Sequence, residues 1–232
     1  MNWNGKRVIV TGGSSGIGKQ LVQDLTSKGA LVSFCGLEDE KVVATEKNSK
    51  AKGYVFDLVQ ENQLRSFFDK SIAHLDGLDI LINNAGYVIA ENFIDLKRTD
   101  FEHMFAINSI APAQLAQLAI PIFKKQGFGD IVNIGATGGS YAFETGTAYS
   151  ASKAALSIIS KNLQLEHRKN NIRTFHVDPS WVTDTHNFNY GTPIEKEENK
   201  LNPVDISSVI IQMLEMDRRG FIPQISVWGT QP

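Results

Sequence analysis

The sequence predicts an α/β fold, a doubly wound parallel sheet of seven strands flanked by helices in a three-layer αβα sandwich. Two observations carry this prediction. Short apolar runs rich in Val and Ile alternate with longer stretches of helical period. That alternation is the mark of βαβ units, which pack helices on both faces of a parallel sheet. A glycine-rich turn also joins the first run to the first helical stretch.

The elements follow in order. Strand 7–11 (RVIVT) leads through the glycine turn into a helix near 16–28. Strand 30–35 (ALVSFC), a weaker helix at 38–46 and strand 53–56 (GYVF) come next. A helix at 61–75 places Leu64, Phe67, Phe68 and Ile72 on one face. Strand 78–83 (LDILIN), a helix at 99–126, strand 130–135 (DIVNIG) and a helix at 147–169 continue the alternation. Strand 172–177 (IRTFHV), a helix at 203–217 and strand 221–227 (FIPQISV) close it. The apolar runs are short and bounded by Gly, Asp or Asn, as strands are. No linker or repeat interrupts the pattern, so residues 1–232 read as one domain. The polar stretch at about 184–203 is expected to be a mobile substrate loop, because a helix and a strand still follow it.

Composition narrows the function. The 232 residues are 42% hydrophobic and 21% charged, with a formal net charge of -2. A chain of this length buries a core without disulfides or a structural metal. Near-neutral charge with no long run of one sign argues against a nucleic-acid or anionic-membrane surface. The lone Cys35 excludes an intramolecular disulfide and reads as a buried strand thiol. No zinc spacing is present, and no metal is expected. The first apolar run is too short to span a membrane and no cleavage site follows a basic region, so a cytoplasmic protein is expected.

Two features carry chemistry. In VIVTGGSSGIGKQL (8–21), Gly12, Gly16 and Gly18 fall between strand and helix. Glycine permits a sharp turn and close approach of a ligand. The helix N-terminus then offers free N–H groups to a pyrophosphate. A plain strand–helix turn is the alternative. Tyr149 and Lys153 stand four residues apart on the 147–169 helix and share a face. An ammonium beside a phenol favours the phenolate and makes the tyrosine a proton carrier. Alone, such a pair also occurs as surface decoration.

TGGSSGIG (11–18), NNAG (83–86) and YSASK (149–153), in this order and spacing, resemble the short-chain dehydrogenase/reductase family in its compact form. The resemblance covers essentially the whole chain. It implies a Rossmann fold, an NAD(P) cofactor and interconversion of a ketone with a secondary alcohol. It places Gly12, Ser14, Ser15, Gly16, Ile17 and Gly18 along the cofactor. It puts Asp57 on the adenine amino group with Leu58 beside it, although Asp57 reads equally as a cap for the helix near 61. Asn83 and Ala85 would border the ribose, with Asn84 and Gly86 also on the cofactor. The backbone N–H of Val182 would face the carboxamide. Tyr149 becomes the general acid/base, Lys153 also binds the nicotinamide ribose, and Asn108 links Lys153 to a water relay.

The chain departs from the family at several points. The family serine thirteen residues before the tyrosine is Ala136 here, which donates nothing. Losing one preorganised donor costs about 10²–10³ in rate. Thr137 is the candidate replacement. A regular strand would turn it away, but Gly135, Gly138 and Gly139 make the stretch a turn. Ser140 is a weaker substitute. In DPSWVTDT (178–185), Ser180 replaces the family glycine and Asp184 the family threonine, flanked by Thr183 and Thr185. At the end of the second strand, Gly36 stands where the carboxylate of an NAD enzyme is expected. Leu37 and Ser15 occupy the basic positions of an NADP enzyme. Glu38 and Asp39 either repel a 2′-phosphate or begin a helix, and NAD(H) is favoured over NADP(H).

Tyr87, Tyr141, Phe143, Trp181, Phe188 and Tyr190 fall in segments that border the family's substrate cleft, without an arginine cluster. A small uncharged or partly apolar carbonyl or alcohol is therefore expected. His186 either approaches this cleft or stays solvated. Ala148, Ala151, Ala154 and Ala155 give the Tyr149 helix a thin surface, and a homodimer or homotetramer is expected. Ala136 together with Asp184 motivates a rival reading, a catalytically silent dinucleotide-binding protein with a sensing or scaffolding role. A dehydratase or epimerase on the same fold has no positive support in the sequence.

Overall fold

The structure is a computed structural model and describes residues 2–183 and 200–230. Asp184, Thr185, His186, Phe188, Tyr190 and most of the 184–203 stretch lie outside the described residues. Seven parallel strands form one sheet: β1 (Arg7–Val10), β2 (Leu31–Gly36), β3 (Lys52–Val55), β4 (Ile80–Asn83), β5 (Gly129–Ile134), β6 (Ile172–Pro179) and β7 (Gln224–Val227). Their order is β3-β2-β1-β4-β5-β6-β7. The chain winds outward from β1 to β3, then returns to β4 on the other side of β1. That reversal opens a crevice at the carboxyl ends of β1 and β4, where open α/β sheets bind ligands.

The helices are α1 (Gly16–Ser27), α2 (Asp39–Ser49), α3 (Glu61–Leu75), α4 (Arg98–Phe105), α5 (Ala111–Gln126), α6 (Thr147–His167) and α7 (Pro203–Glu215). Alternation along the strands feeds two cores. Val8 and Val10 of β1 join Leu21 and Leu25 of α1 and Ile206 and Ile210 of α7 on one face. Ile9 points to the other face and packs with Leu64 and Phe67 of α3 and Leu115 and Phe123 of α5. The sheet is thus covered on both sides, which explains why β4, β5 and β6 are buried along their whole length.

Two expected elements differ in detail. The stretch Arg98–Gln126 is long and apolar enough to cross a membrane by composition, yet Leu115, Ala116, Ala119 and Phe123 are buried core residues. It is broken by a π turn at Ala106–Ile110 between α4 and α5. Strand β7 begins only at Gln224. Phe221 packs edge-on to Phe175, and Pro223, which has no N–H for the ladder, only accepts from the His176 amide.

Candidate active site

The glycine turn is shaped by close approach. Gly12 has φ +64 and lies so near NNAG that a Cβ would stand 3.0 Å from the Ala85 Cα. A Cβ on Gly18 would collide with the Gly12 carbonyl oxygen and the Asn84 side-chain nitrogen. Thr11, at the end of β1, locks the two loops together, its hydroxyl accepting from the Asn84 and Ala85 amides at 3.0 Å each. The Asn84 amide returns to the carbonyls of Thr11 and Gly12 at 3.0 and 3.2 Å. Thr11 was not anticipated. Its signal is its place as the last residue of the first apolar run.

Asn83, expected at the ribose, does not line the cleft. Its side chain turns into the core, donating to Asn133 Oδ1 at 2.8 Å, because it ends a strand rather than beginning the loop. Asn84, Ala85 and Gly86 do line the cleft. So do Gly12, Ser14, Ser15, Gly16 and Ile17; Asp57, Leu58 and Val182 line it further along. Gly18 sits just behind the turn it permits. Asp57 does not cap α3, whose N-cap is Gln60. Its Oδ1 accepts from the Val59 amide at 3.0 Å, a local turn that leaves the residue on the cleft wall.

The cleft these lining residues share has a volume of about 1120 Å³. Its far end holds Ala136, Thr137, Tyr149 and Lys153. Beyond β5, Gly135 and Ala136 lead into a tight turn at Thr137–Gly139. The glycines explain the turn: a Cβ on Gly139 would press on the backbone of Lys153 and Ala154 at 3.0–3.1 Å. Thr137 lines the cleft, and its hydroxyl has no hydrogen-bond partner among the described residues. Ser140 is exposed and does not line the cleft.

Tyr149 and Lys153 rise from α6 on one face, with the Lys153 nitrogen 5.9 Å from the centre of the Tyr149 ring. The ammonium is buried and donates to the Ile134 carbonyl at 2.9 Å. Burial pushes Lys153 down to about 8, against the pull of Asp178, which raises it. Burial, reinforced by Asp178, pushes the Tyr149 phenol up to about 12. The phenol therefore holds its proton near neutral pH. Burial likewise pushes the Cys35 thiol up to about 12, which makes it inert.

Asn108 occupies the π turn. Its Oδ1 accepts from the Tyr87 amide and its Nδ2 donates to the Tyr87 carbonyl and to Ser152 Oγ, at 2.8, 2.8 and 2.9 Å. It makes no direct bond to Lys153. Both groups surround Gly86, where a Cβ would lie 3.3 Å from Asn108 Oδ1 and 3.4 Å from Lys153 Nζ. A π turn at such a point is common at functional sites.

Aromatic rings frame the same end. Tyr87 stacks edge-on with His103 at 4.6 Å, Phe143 with Tyr149 at 6.3 Å, and Tyr141 with Trp228 at 5.5 Å. Trp181 also lines the cleft. Trp228 was not anticipated from the sequence. It follows the last strand directly, and strand ends on this edge supply ligand contacts.

This fold and site define an enzyme class. The chain belongs to the short chain dehydrogenase family, whose description matches residues 6–193, and it is an NAD(P)-dependent oxidoreductase of that family. A tropinone reductase homologue of Arabidopsis thaliana is 31% identical over 206 residues, covering 86% of this chain and 76% of the relative. An uncharacterized oxidoreductase of Thermotoga maritima is 33% identical over 183 residues, covering 77% of this chain and 72% of the relative. A crystal structure of a metagenomic short-chain oxidoreductase in complex with NADP superposes with a TM-score of 0.85 at 26% identity, covering 98% of both chains. The residues present fit such a cofactor. Gly12 and Gly18 let the glycine turn close against Ala85 and Asn84, and the N-terminus of α1 opens on the cleft, where its free N–H groups would face a pyrophosphate.

Proposed function

We propose that the enzyme interconverts a small, uncharged or partly apolar ketone with its secondary alcohol, and that Tyr149 is the general acid/base. The observation that carries this reading is that Tyr149, Thr137 and the buried Lys153 ammonium line one cleft, and that neither hydroxyl has a hydrogen-bond partner among the described residues. Bound in the cleft, the nicotinamide would supply or accept the hydride. Tyr149 would give its proton to the carbonyl oxygen, or take it back from the alcohol. Thr137 would donate to that same oxygen in place of the missing serine. Lys153 would favour the phenolate left behind and hold the nicotinamide ribose hydroxyls. Asn108 would hold the Tyr87 strap against α6 and support the relay to Lys153. The rings of Tyr87, Tyr141, Phe143 and Trp181 supply an apolar wall, which suits an uncharged substrate.

For the cofactor we favour NAD(H). Glu38 lines the cleft at the end of β2, where a 2′-phosphate would stand. No arginine lines the cleft among the described residues. The metagenomic relative holds NADP, so paired titrations with NADH and NADPH are the test, and tighter NADPH binding defeats the preference. A homodimer or homotetramer is proposed as well, since Ile158 and Leu165 of α6 are 56% and 65% exposed. Light scattering reads this directly. A cytoplasmic setting fits the same reading.

The proposed chemistry is tested by cofactor turnover against a panel of ketones and alcohols. Turnover that Tyr149→Phe leaves unchanged would defeat it. No observation in the site favours the silent dinucleotide-binding reading.

A further inference from the structure

A line of buried polar side chains crosses the sheet behind the active site, and the chemistry proposed above does not use it. Register places it there: Asn83 of β4 lies opposite Asn133 of β5, which lies opposite His176 of β6. Asn83 donates to Asn133 Oδ1 at 2.8 Å, and Asn133 donates to Ser160 Oγ at 2.8 Å. Ser160 Oγ lies 3.1 Å from His176 Nδ1. His176 Nε2 lies 2.9 Å from Asp178 Oδ1. Asp178 itself is 2% exposed. Its Oδ1 also accepts from the Ala136 amide at 3.1 Å, and its Oδ2 from Gln224 at 2.8 Å.

Two links have a fixed direction, from Asn83 to Asn133 and from Asn133 to Ser160. His176 Nε2 stands at ion-pair distance from the carboxylate, and the Ser160–His176 bond runs in either direction with the tautomer. The Ser160 hydroxyl donates its one proton to the Leu156 carbonyl at 2.8 Å, which leaves its oxygen free to accept from Asn133. A buried polar network of this kind makes a rigid support. A carboxylate buried this deeply is costly unless it is well bonded, and this one has two hydrogen-bond donors, the Ala136 amide and Gln224, with His176 Nε2 at 2.9 Å.

We propose that Asp178 is a positioning residue for the Tyr149–Lys153 pair, its carboxylate anchoring the Ala136–Thr137 turn through the Ala136 amide and standing as the fixed negative charge beside the two groups. The turn it anchors carries the hydroxyl of Thr137, and Ala136 occupies the place where the family has a serine. The proposal rests on the roles given above to Tyr149 and Lys153. Burial opposes ionisation of Asp178, but His176, Gln224 and the Ala136 amide outweigh it and hold its carboxyl below the usual range. The resulting charge raises both Lys153 and Tyr149. It keeps the ammonium charged and the phenol protonated, the state that donates a proton during carbonyl reduction. Among the described residues, the other titratable groups at this end are His176 on β6, and Tyr87, Tyr141, His103 and Lys200 along the cleft. β4 and β5 present only the neutral Asn83 and Asn133 to the line.

The test is a titration that needs no substrate. In protein carrying ¹³C-labelled lysine, the Lys153 signal is assigned by its absence from Lys153→Gln and followed against pH. Asp178→Asn keeps an acceptor for the Ala136 amide, lets Gln224 turn its own amide, and removes the charge. The Lys153 midpoint, near 8 in the wild type, is expected to fall by about one pH unit. An unchanged midpoint in the folded variant overturns the proposal. Asp178→Ser is a second route to the same readout. The anchoring is also read in the wild type alone, where the Ala136 amide is expected to resist hydrogen exchange. Rapid exchange there overturns the anchoring whatever the variants do. Because none of these measurements uses turnover, they fail independently of the proposed reaction.

Discussion

Asn108 and Tyr87 are joined by a closed pair of hydrogen bonds. The Asn108 Oδ1 accepts from the Tyr87 amide and its Nδ2 donates to the Tyr87 carbonyl, both at 2.8 Å. One side chain thus fastens the strap after NNAG to the π turn, and through Ser152 to the helix that carries Tyr149 and Lys153. Asn108→Leu removes all three bonds from a fully buried position. The expected loss is about 1–3 kcal/mol for each buried polar group left without a partner, read as a lower denaturation midpoint. An unchanged midpoint would show that the ring contributes nothing to stability.

Tyr149→Phe deletes the proton carrier and leaves the ring contact with Phe143 in place. Turnover is expected to fall by about 10²–10⁴, with dinucleotide affinity retained. Loss of binding as well as turnover would mean that the hydroxyl serves the cofactor rather than the reaction.

Thr137→Ala removes the proposed donor to the substrate oxygen. A drop of about 10²–10³ in kcat is expected, with Thr137→Ser close to wild type. Restoring a hydroxyl one position earlier, with Ala136→Ser in the Thr137→Ala background, is expected to recover activity. Full activity of Thr137→Ala alone would remove Thr137 from the site.

The pH dependence follows from Lys153. Its value is lowered to about 8, so the charged form falls away above that pH. Carbonyl reduction is expected to decline on the alkaline side of about pH 8, roughly tenfold per pH unit. Stability runs the other way. Between about 8 in the folded protein and the ordinary lysine value of about 10.5, the unfolded chain binds more protons, so this group's contribution to stability grows as pH rises. Reduction rates and denaturation midpoints across pH 7–10, both measured on wild type, check the two signs. A rate that is flat to pH 10 would mean that the ammonium is not needed.

Gly18→Ala places a methyl group against the Gly12 carbonyl and the Asn84 amide. The glycine turn must then shift, and weaker binding of NADH by fluorescence titration is expected. Unaltered affinity would show that the turn does not hold the pyrophosphate.

The sequence by itself determined the strand–helix alternation, the glycine turn and the shared face of Tyr149 and Lys153. Each of these is local: a period of two or 3.6 residues, a glycine with left-handed φ, a four-residue spacing on one helix. It also marked Ala136 as the missing donor and Thr137 as the nearest replacement. The tertiary structure decided what depends on residues far apart in the chain. The π turn leaves no trace in composition, since its longer-range bonds are chosen by packing between α4 and α6. Asn83 could be read as a ribose contact until the register of β4 against β5 turned its amide into the core. The line from Asn83 through Asn133, Ser160 and His176 to Asp178 exists only because three parallel strands and one helix meet there. Lateral register, which no sequence pattern encodes, put a buried carboxylate beneath the Ala136 turn.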